Sequence, residues 1–183
     1  YLKASFGKQI EVEIFKKTSD LNQAFDLRPP DVLMLSLYMW NHNLTLAYAK
    51  QARLRNPDLL IVLGGPNISV DEYSRQCFMA ENTYIDAYVL MEGENIAHDI
   101  IDTMLKTKDR QSISSLRNPF LLTNHGEEPE NCIHEEKIDN KKNRIGTKGN
   151  KYSGLDRIPS PYLMGLFDKF FLDGEIPLIE TNR

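Results

Sequence analysis

The sequence predicts an α/β protein built on an open parallel sheet with helices on both of its faces. Two short apolar runs, residues 31–37 and 60–64, each stop at small or polar residues. Strands whose two faces are both covered by helices have this pattern. Segments with apolar residues at helical spacing alternate with these runs, and the connections are short. Such alternation is typical of strand–helix–strand units in a parallel sheet.

The first half of this pattern runs from residue 10 to residue 57. Residues 10–14 alternate apolar and charged side chains, which predicts a half-buried strand. Residues 19–26 predict a short helix, which the proline pair at positions 29 and 30 stops. Residues 31–37 predict a buried strand. Apolar residues from Leu44 to Leu54 recur at helical spacing, and Pro57 ends that helix.

The second half of the pattern contains two more strand–helix pairs. Residues 60–64 predict a buried strand, and Ser69 with Glu72 forms a capping box that predicts a helix from about residue 70. Residues 85–90 predict a further strand. Apolar residues from Ile96 to Leu105 predict a helix that ends in lysines, which suit the negative end of the helix dipole.

The remaining residues differ in composition. Short apolar pieces such as residues 120–122 are separated by polar runs, which lie at residues 127–131, 140–143 and 146–150. We therefore predict an α/β domain over residues 1–109 and an irregular linker or appendage over residues 110–183, with a hairpin as one option. The chain begins with Tyr1 and ends directly after an apolar run at residues 176–179. The expectation is a piece of a larger protein.

Composition excludes several classes of function. The formal net charge of −4 argues against a nucleic-acid partner, whose phosphates require a basic surface. No apolar stretch has the roughly 18–20 residues of a membrane span, and no signal peptide is evident. Cys77 and Cys132 are far apart and form no Cys-x-x-Cys pair. A disulfide framework or zinc site is therefore not predicted, and a cytoplasmic location is expected.

The predicted strand ends are the candidate ligand site, because ligands of parallel sheets bind beyond the carboxyl ends of the strands. Ser36 could donate a hydrogen bond to a ligand or serve as a turn residue. Gly64 and Gly65 permit either close approach of a bulky ligand or a tight turn. Trp40 could pack on a ligand ring or fill the core. Glu92 could complement a helix dipole or hydrogen-bond ligand amides.

Catalytic motifs are missing from the sequence. It contains no G-x-G-x-x-G, no P-loop signature and no H-E-x-x-H. The four histidines have no metal-ligand spacing, and no Ser-His-Asp order or activated cysteine can be argued. The sequence predicts neither catalytic residues nor a metal site.

Five segments in a fixed order carry a resemblance to a known family. They read PDVLMLSLYMWN, IVLGGPNIS, YVLMEGEN, LDRIPSPYLMGLFD and PLIETNR. This order resembles the amino-terminal half of cobalamin-binding radical SAM enzymes, such as the anaerobic magnesium-protoporphyrin IX monomethyl ester oxidative cyclase family, over nearly the whole chain. The resemblance implies a flavodoxin-like (Rossmann-like) fold and a cobalamin (B12) ligand. The cofactor-binding residues that it and the strand ends imply are Ser36, Leu37, Tyr38, Asn41, Gly64, Gly65, Pro66, Glu92 and Gly93.

The chain departs from that family's pattern in several places. Tyr38 stands where a leucine is usual, and Met91 replaces the first glycine of the usual G-E-G-E turn. Neither the cobalt-ligating Asp-x-His-x-x-Gly nor the cluster motif Cys-x-x-x-Cys-x-x-Cys is present. The resemblance therefore implies that a 4Fe-4S cluster and S-adenosylmethionine belong to a radical SAM barrel elsewhere in a parent oxidative cyclase or methyltransferase. This piece alone is expected to be inactive.

The resemblance also implies an incomplete sheet. In the flavodoxin-like order 2-1-3-4-5 the first strand lies inside the sheet, and the sequence offers no candidate for it. We expect a sheet lacking that strand, with unpaired edges near residues 10–14 and 31–37 and a tendency to self-associate.

Two other readings of the domain stay open. One is a flavodoxin-like packing module that has lost cobalamin, which the residues at positions 38 and 91 favour. The other is a receiver-type signalling domain, which requires an acidic cluster at the strand ends. Asp31 begins its strand instead of ending it, which disfavours the receiver domain.

Overall fold

A computed structural model describes residues 1–124 and 158–172 of the chain. The polar runs at residues 127–131, 140–143 and 146–150 lie outside the described residues, as do residues 176–183, Cys132 and the first residues of the segment LDRIPSPYLMGLFD. The chain divides into two compact units, residues 17–149 and residues 1–16 with 150–183. Each is described by itself.

The described residues form six α-helices and four strands. The helices are α1 (Leu2–Phe6), α2 (Thr18–Leu27), α3 (His42–Arg55), α4 (Glu72–Glu81), α5 (Glu94–Thr107) and α6 (Asp168–Leu172). The strands are β1 (Val32–Ser36), β2 (Leu60–Gly64), β3 (Ala87–Val89) and β4 (Leu121–Thr123). Two short 3₁₀ helices span Gly7–Gln9 and Arg110–Ser115.

The sheet of the larger unit has the strand order β1-β2-β3-β4. β1, β2 and β3 are parallel, whereas β4 is antiparallel to β3. Ser36 is in register with Gly64, and Gly64 is in register with Val89. The carboxyl ends of the three parallel strands therefore align at one edge of the sheet.

Apolar side chains cover both faces of this sheet. On one face, strand residues such as Val62 and Val89 pack with Ile96 and Ile100 of α5. The other face has two clusters. One joins β1 and β2 to α2 and α3, and the other joins β2 and β3 to α4. The predicted open α/β sheet with helices on both faces is confirmed.

Most of the predicted segments form the predicted structure. β2 covers residues 60–64, and α2, α3 and α5 lie over the segments with helical spacing. The predicted strand over residues 85–90 is shorter, since only Ala87–Val89 pair.

The predicted strand over residues 10–14 is wrong, because that segment forms neither a helix nor a strand. The alternation of apolar and charged side chains is only a sequence pattern. A strand also needs a neighbouring strand to pair with, since an unpaired strand is not stable alone.

One short strand was not predicted. Residues 121–123, placed by sequence in the irregular appendage, form β4 and extend the sheet beyond β3. The backbone of Leu90 also donates to the Phe120 carbonyl at 2.9 Å.

The start of α4 differs from the predicted capping box. Asp71 is the N-cap, and its carboxylate accepts a 2.7 Å hydrogen bond from the backbone N–H of Ser74. That bond lowers the pKa of the Asp71 carboxyl below its usual value. Ser69 instead accepts from the backbone N–H of Asp71 at 3.1 Å. The helix therefore begins two residues later than predicted, with an aspartate in the role assigned to Ser69.

β1 is an edge strand in the described part of the sheet, since it pairs with β2 alone. This agrees with the expected sheet that lacks an interior strand beside residues 31–37. The exposed side chain of Met34 lies on this edge strand.

The smaller unit contains α1 and α6. Phe6 and Phe170 are buried, and the Lys16 ammonium lies 4.7 Å from the centre of the Phe170 ring. The rings of Tyr162 and Phe167 pack edge to face at 5.1 Å. Throughout residues 1–124 and 158–172, no helix is long and apolar enough to cross a membrane.

The amino edge of the sheet is organised by Asp86, which directly precedes β3. Its carboxylate accepts from Arg53 Nη2 at 2.6 Å, from the Ile61 backbone N–H at 2.7 Å and from Arg110 Nη1. Arg53 also donates to the carbonyls of Pro57 and Leu59, each at 2.6 Å. One buried carboxylate thus joins α3, β2, β3 and the second 3₁₀ helix.

We expect Asp86→Ala to lower the free energy of unfolding by about 3 kcal/mol, because two arginines and a backbone N–H lose their anionic partner in a mostly buried position. Urea denaturation measures this loss. The matched control is Asp102→Ala, which breaks the exposed i,i+4 pair with Lys106. It is expected to cost less than about 1 kcal/mol. Equal losses in the two variants would contradict the structural role of Asp86.

Candidate functional site

Three loops meet at the carboxyl edge of the parallel strands. They cover residues 37–41 after β1, residues 65–71 after β2 and residues 90–93 after β3. The first two are joined by backbone hydrogen bonds. Leu37 N–H donates to the Gly64 carbonyl at 2.6 Å, and Asn67 N–H donates to the Leu37 carbonyl at 3.3 Å. The site therefore has a connected backbone frame.

The β1–α3 loop is held by the side chain of Asn41. Its Oδ1 accepts from the Tyr38 backbone N–H at 2.7 Å, and its Nδ2 donates to the Ser36 carbonyl at 3.1 Å. The buried Thr45 hydroxyl donates to the same carbonyl at 3.2 Å. Asn41 is also the N-cap residue of α3. Its amide thus shapes the loop and uses its hydrogen bonds within the protein.

Tyr38 and Trp40 form a stacked aromatic pair in this loop. Their ring centres are 4.7 Å apart and their planes differ by 13°. Trp40 is 78% exposed. The alternative in which Trp40 fills the core is therefore wrong, and α3 begins at His42, after the tryptophan. The pair presents a flat apolar surface to solvent.

Gly64 and Gly65 have different reasons for lacking a side chain. Gly65 has φ of 118°, and a Cβ there would lie 2.5 Å from the Leu37 carbonyl oxygen. At Gly64 a Cβ would make ordinary contacts, at 3.7 Å from the Val89 carbonyl oxygen. The tight-turn interpretation therefore accounts for Gly65, which L side chains cannot replace without strain. Gly64 is under no such constraint from the protein itself.

A hydrogen bond from Tyr88 holds the Gly65 turn in place. The tyrosine is fully buried in β3, and its hydroxyl donates to the Gly65 carbonyl at 2.8 Å. Burial raises the pKa of Tyr88 to about 12, so the phenol remains a protonated donor at neutral pH. Sequence reasoning did not identify this residue, because a tyrosine inside an apolar strand looks like a core residue.

The β3–α5 loop supplies the third side of the edge. Gly93 is the N-cap residue of α5, and its carbonyl accepts from the Ala97 N–H at 2.7 Å. Glu92 and Met91 are exposed beside it. The helix-start explanation thus accounts for Gly93, whereas the Glu92 carboxylate lies at the surface.

Most of the predicted cofactor-binding residues lie at this edge, but their side chains differ in how far they are exposed. The Leu37 side chain is fully buried in the core, so this residue can offer only its backbone. Exposed side chains come from Ser36, Pro66 and Glu92, and half-buried positions are occupied by Tyr38, Asn41, Gly64, Gly65 and Gly93.

Exposed apolar side chains surround the same edge. Met39 and Trp40 follow β1, Val70 follows β2 and Met91 follows β3, with exposures of 81%, 78%, 79% and 56%. Of these, the sequence singled out Trp40 as a candidate ligand contact and Met91 only as a departure from the family pattern. The others stand alone among turn residues, where apolar periodicity gives no signal. Apolar side chains exposed together on three neighbouring loops are typical of a binding surface.

A parallel sheet whose carboxyl ends carry a glycine turn and exposed apolar side chains is typical of an α/β ligand-binding domain. Residues 1–101, more than half of the chain, match the family model of the B12 binding domain. The chain therefore belongs to the B12 binding domain family, and the predicted cobalamin-binding class is confirmed.

Two characterised relatives agree with this assignment. The chain is 27% identical over 162 residues to a 2-(S-pantetheinyl)-carbapenam-3-carboxylate methyltransferase of Streptantibioticus cattleyicolor, which covers 88% of this chain and 21% of the relative. It is 30% identical over 139 residues to the cobalamin-dependent radical SAM methyltransferase TokK of Streptomyces tokunonensis, covering 76% and 17%. The chain thus spans about a fifth of the length of these relatives.

We expect Gly65→Ala to lower the free energy of unfolding by about 3 kcal/mol, because the new Cβ would meet the Leu37 carbonyl in a strained backbone conformation. Gly64→Ala is the matched control and is expected to cost at most about 1 kcal/mol, since its Cβ has room. Chemical denaturation of both variants decides the comparison. Equal stabilities would show that the close approach does not constrain the turn.

Proposed function

We propose that the carboxyl edge of this sheet binds cobalamin, and that the chain is the cobalamin-binding part of a longer radical SAM enzyme. The observation that carries the proposal is the stacking of Tyr38 on the exposed Trp40 at the strand ends, together with Val70 and Met91, which are exposed on the loops after β2 and β3. Large apolar side chains exposed together are typical of a surface that a ligand or partner covers. A broad, flat ligand fits this surface better than a small polar one.

The residues present fit the chemistry of cobalamin. Its corrin ring is large and flat, and amide groups surround the ring. In our proposal Trp40, stacked on Tyr38, lies against the corrin face, since aromatic rings favour offset stacking. The Ser36 hydroxyl and the Glu92 carboxylate are exposed hydrogen-bonding groups for the peripheral amides.

The glycine turn takes the other part of the ligand in this proposal. The nucleotide tail of cobalamin runs along the turn of Gly64, Gly65 and Pro66, whose shape is set by the close approach of Gly65 to Leu37. Asn41, Leu37 and Gly93 contribute by shaping the three loops, as their hydrogen bonds within the protein indicate.

Bound cobalamin supplies the chemistry of carrying a methyl group. The residues of this chain bind it, orient it and keep water from one of its faces. Both relatives are methyltransferases, which favours methyl transfer over oxidative cyclisation as the parent's reaction. We propose that residues 110–183 lead to a radical SAM barrel, which would hold the 4Fe-4S cluster and S-adenosylmethionine. The boundary at residue 109 and a cytoplasmic location remain predictions.

The alternative, a packing module that has lost cobalamin, rested on the residues at positions 38 and 91. Tyr38 supports the Trp40 ring, and Met91 adds exposed apolar surface. Both departures from the family pattern therefore contribute to the aromatic and apolar surface at the strand ends, which favours a retained ligand.

The proposal is tested by titrating the chain with hydroxocobalamin. Trp40 is the only tryptophan, so quenching of its fluorescence reports binding at this edge. Changes in the visible spectrum of the cofactor give a second measure. We expect saturable binding. Trp40→Ala, followed by absorbance, should weaken it at least about tenfold, because it removes the stacking surface.

Leu54→Ala is the control for this experiment. Leu54 is a 68% exposed apolar residue near the far end of α3, away from the strand ends. Its replacement should leave the affinity unchanged. Absence of saturable binding by the folded chain would overturn the proposed function, and equal affinities of the Trp40→Ala and unaltered chains would remove Trp40 from the site.

We also propose that the edge of β1 pairs with β1 of a second copy when the chain is isolated. β1 carries no charged side chain, although charges on edge strands commonly prevent such pairing. Sedimentation velocity should detect concentration-dependent dimers. Met34→Lys places a charge on the edge and should return the chain to monomers, whereas Leu54→Lys should not. Dimers that persist in Met34→Lys would contradict pairing through β1.

A further inference from the structure

His42 lies next to the candidate site but belongs to none of the groups assigned to it. It is the first residue of α3. Its Nδ1 is 2.7 Å from Asn67 Nδ2, within hydrogen-bond distance. Its ring packs at an angle of 60° against Phe78 of α4, with ring centres 6.5 Å apart. The imidazole thus contacts the β2–α4 loop and the following helix.

Asn67 is already part of the backbone frame of the site. Its N–H donates to the Leu37 carbonyl, while its side chain meets His42. The β2–α4 loop is therefore held to the first loop by its backbone and to the start of α3 by a side chain. The exposed Trp40 lies two residues before His42, and the exposed Val70 lies three residues after Asn67.

Further side-chain contacts connect His42 to the glycine turn. Phe78 packs edge to face on Tyr88 at 5.9 Å, and Tyr88 donates to the Gly65 carbonyl. A series of contacts thus runs from His42 through Phe78 and Tyr88 to Gly65. A second route runs from His42 through Asn67 to the backbone of Leu37.

We propose that His42 is a positioning residue for the cobalamin site: through Asn67 it holds the β2–α4 loop in place next to the loop that bears Trp40. This inference rests on the proposed function. His42 acts through Asn67 and Phe78 and need not contact the cofactor. When the hydrogen bond is absent, Asn67 can turn to water and the loop bearing Val70 is less restrained.

Two substitutions separate the hydrogen bond from ring packing. His42→Phe keeps an aromatic ring against Phe78 but cannot bond Asn67. His42→Asn keeps an amide near the position of Nδ1 but loses the ring. We expect His42→Phe to weaken hydroxocobalamin binding about five- to tenfold, the range of one hydrogen bond. His42→Asn should restore the affinity to within about threefold of the unaltered chain.

A second measurement requires no cofactor. Amide hydrogen exchange at Asn67, whose N–H bonds to Leu37, should become several times faster in His42→Phe. Exchange in the centre of β2, for example at Val62, should not change. A general loss of stability would accelerate both sites, so this comparison separates positioning of the loop from destabilisation of the fold.

A double-mutant cycle with Asn67→Leu completes the test. If His42 acts through Asn67, adding His42→Phe to Asn67→Leu should weaken binding no further. Additive losses, or an affinity unchanged in His42→Phe, would overturn the positioning role while leaving the proposed function intact. Absence of hydroxocobalamin binding by the unaltered chain would instead overturn the proposed function itself.

Discussion

The candidate site depends on the close approach of two backbones, at Leu37 and Gly65. The position that a Cβ of Gly65 would occupy is 2.5 Å from the Leu37 carbonyl oxygen, so only glycine permits this packing. The approach brings the loops after β1 and β2 together, and Asn67 then bonds the Leu37 carbonyl. Because the Leu37 side chain is fully buried, the frame is anchored in the core. The loop that bears the aromatic pair is therefore joined to the core and to the loop after β2.

The two edges of the sheet are organised by different interactions. At the amino edge, Asp86 joins two arginines and a backbone N–H in a mostly buried position. At the carboxyl edge, neutral backbone and amide hydrogen bonds hold the loops, and large apolar side chains remain exposed. Ionic interactions thus stabilise the amino edge, whereas the carboxyl edge leaves large apolar side chains exposed. Natural proteins commonly depart from the most stable arrangement at functional sites.

The sequence predicts those helices and strands whose apolar pattern lies within one continuous segment. β2 is a continuous apolar run and α3 has apolar residues at helical spacing, so both elements were placed correctly, although Leu44 and Leu54 of that pattern are exposed. Residues 10–14 alternate well but have no neighbouring strand, and β4 has only three residues. The contact between His42 and Asn67 joins residues 25 positions apart. No local pattern encodes such a contact, so the supporting parts of the site could not be predicted.

The structure changes the interpretation of the two departures from the family pattern, at positions 38 and 91. From the sequence, a tyrosine in place of leucine at position 38 and a methionine in place of glycine at position 91 weaken the resemblance. In the structure, Tyr38 lies flat against Trp40, and Met91 is exposed on a neighbouring loop. The first replacement adds an aromatic ring that stacks on Trp40, and the second adds an exposed apolar side chain. A domain that had lost its ligand would be expected to replace such residues with polar ones, because exposed apolar surface promotes aggregation. The direction of these changes therefore favours a retained flat ligand.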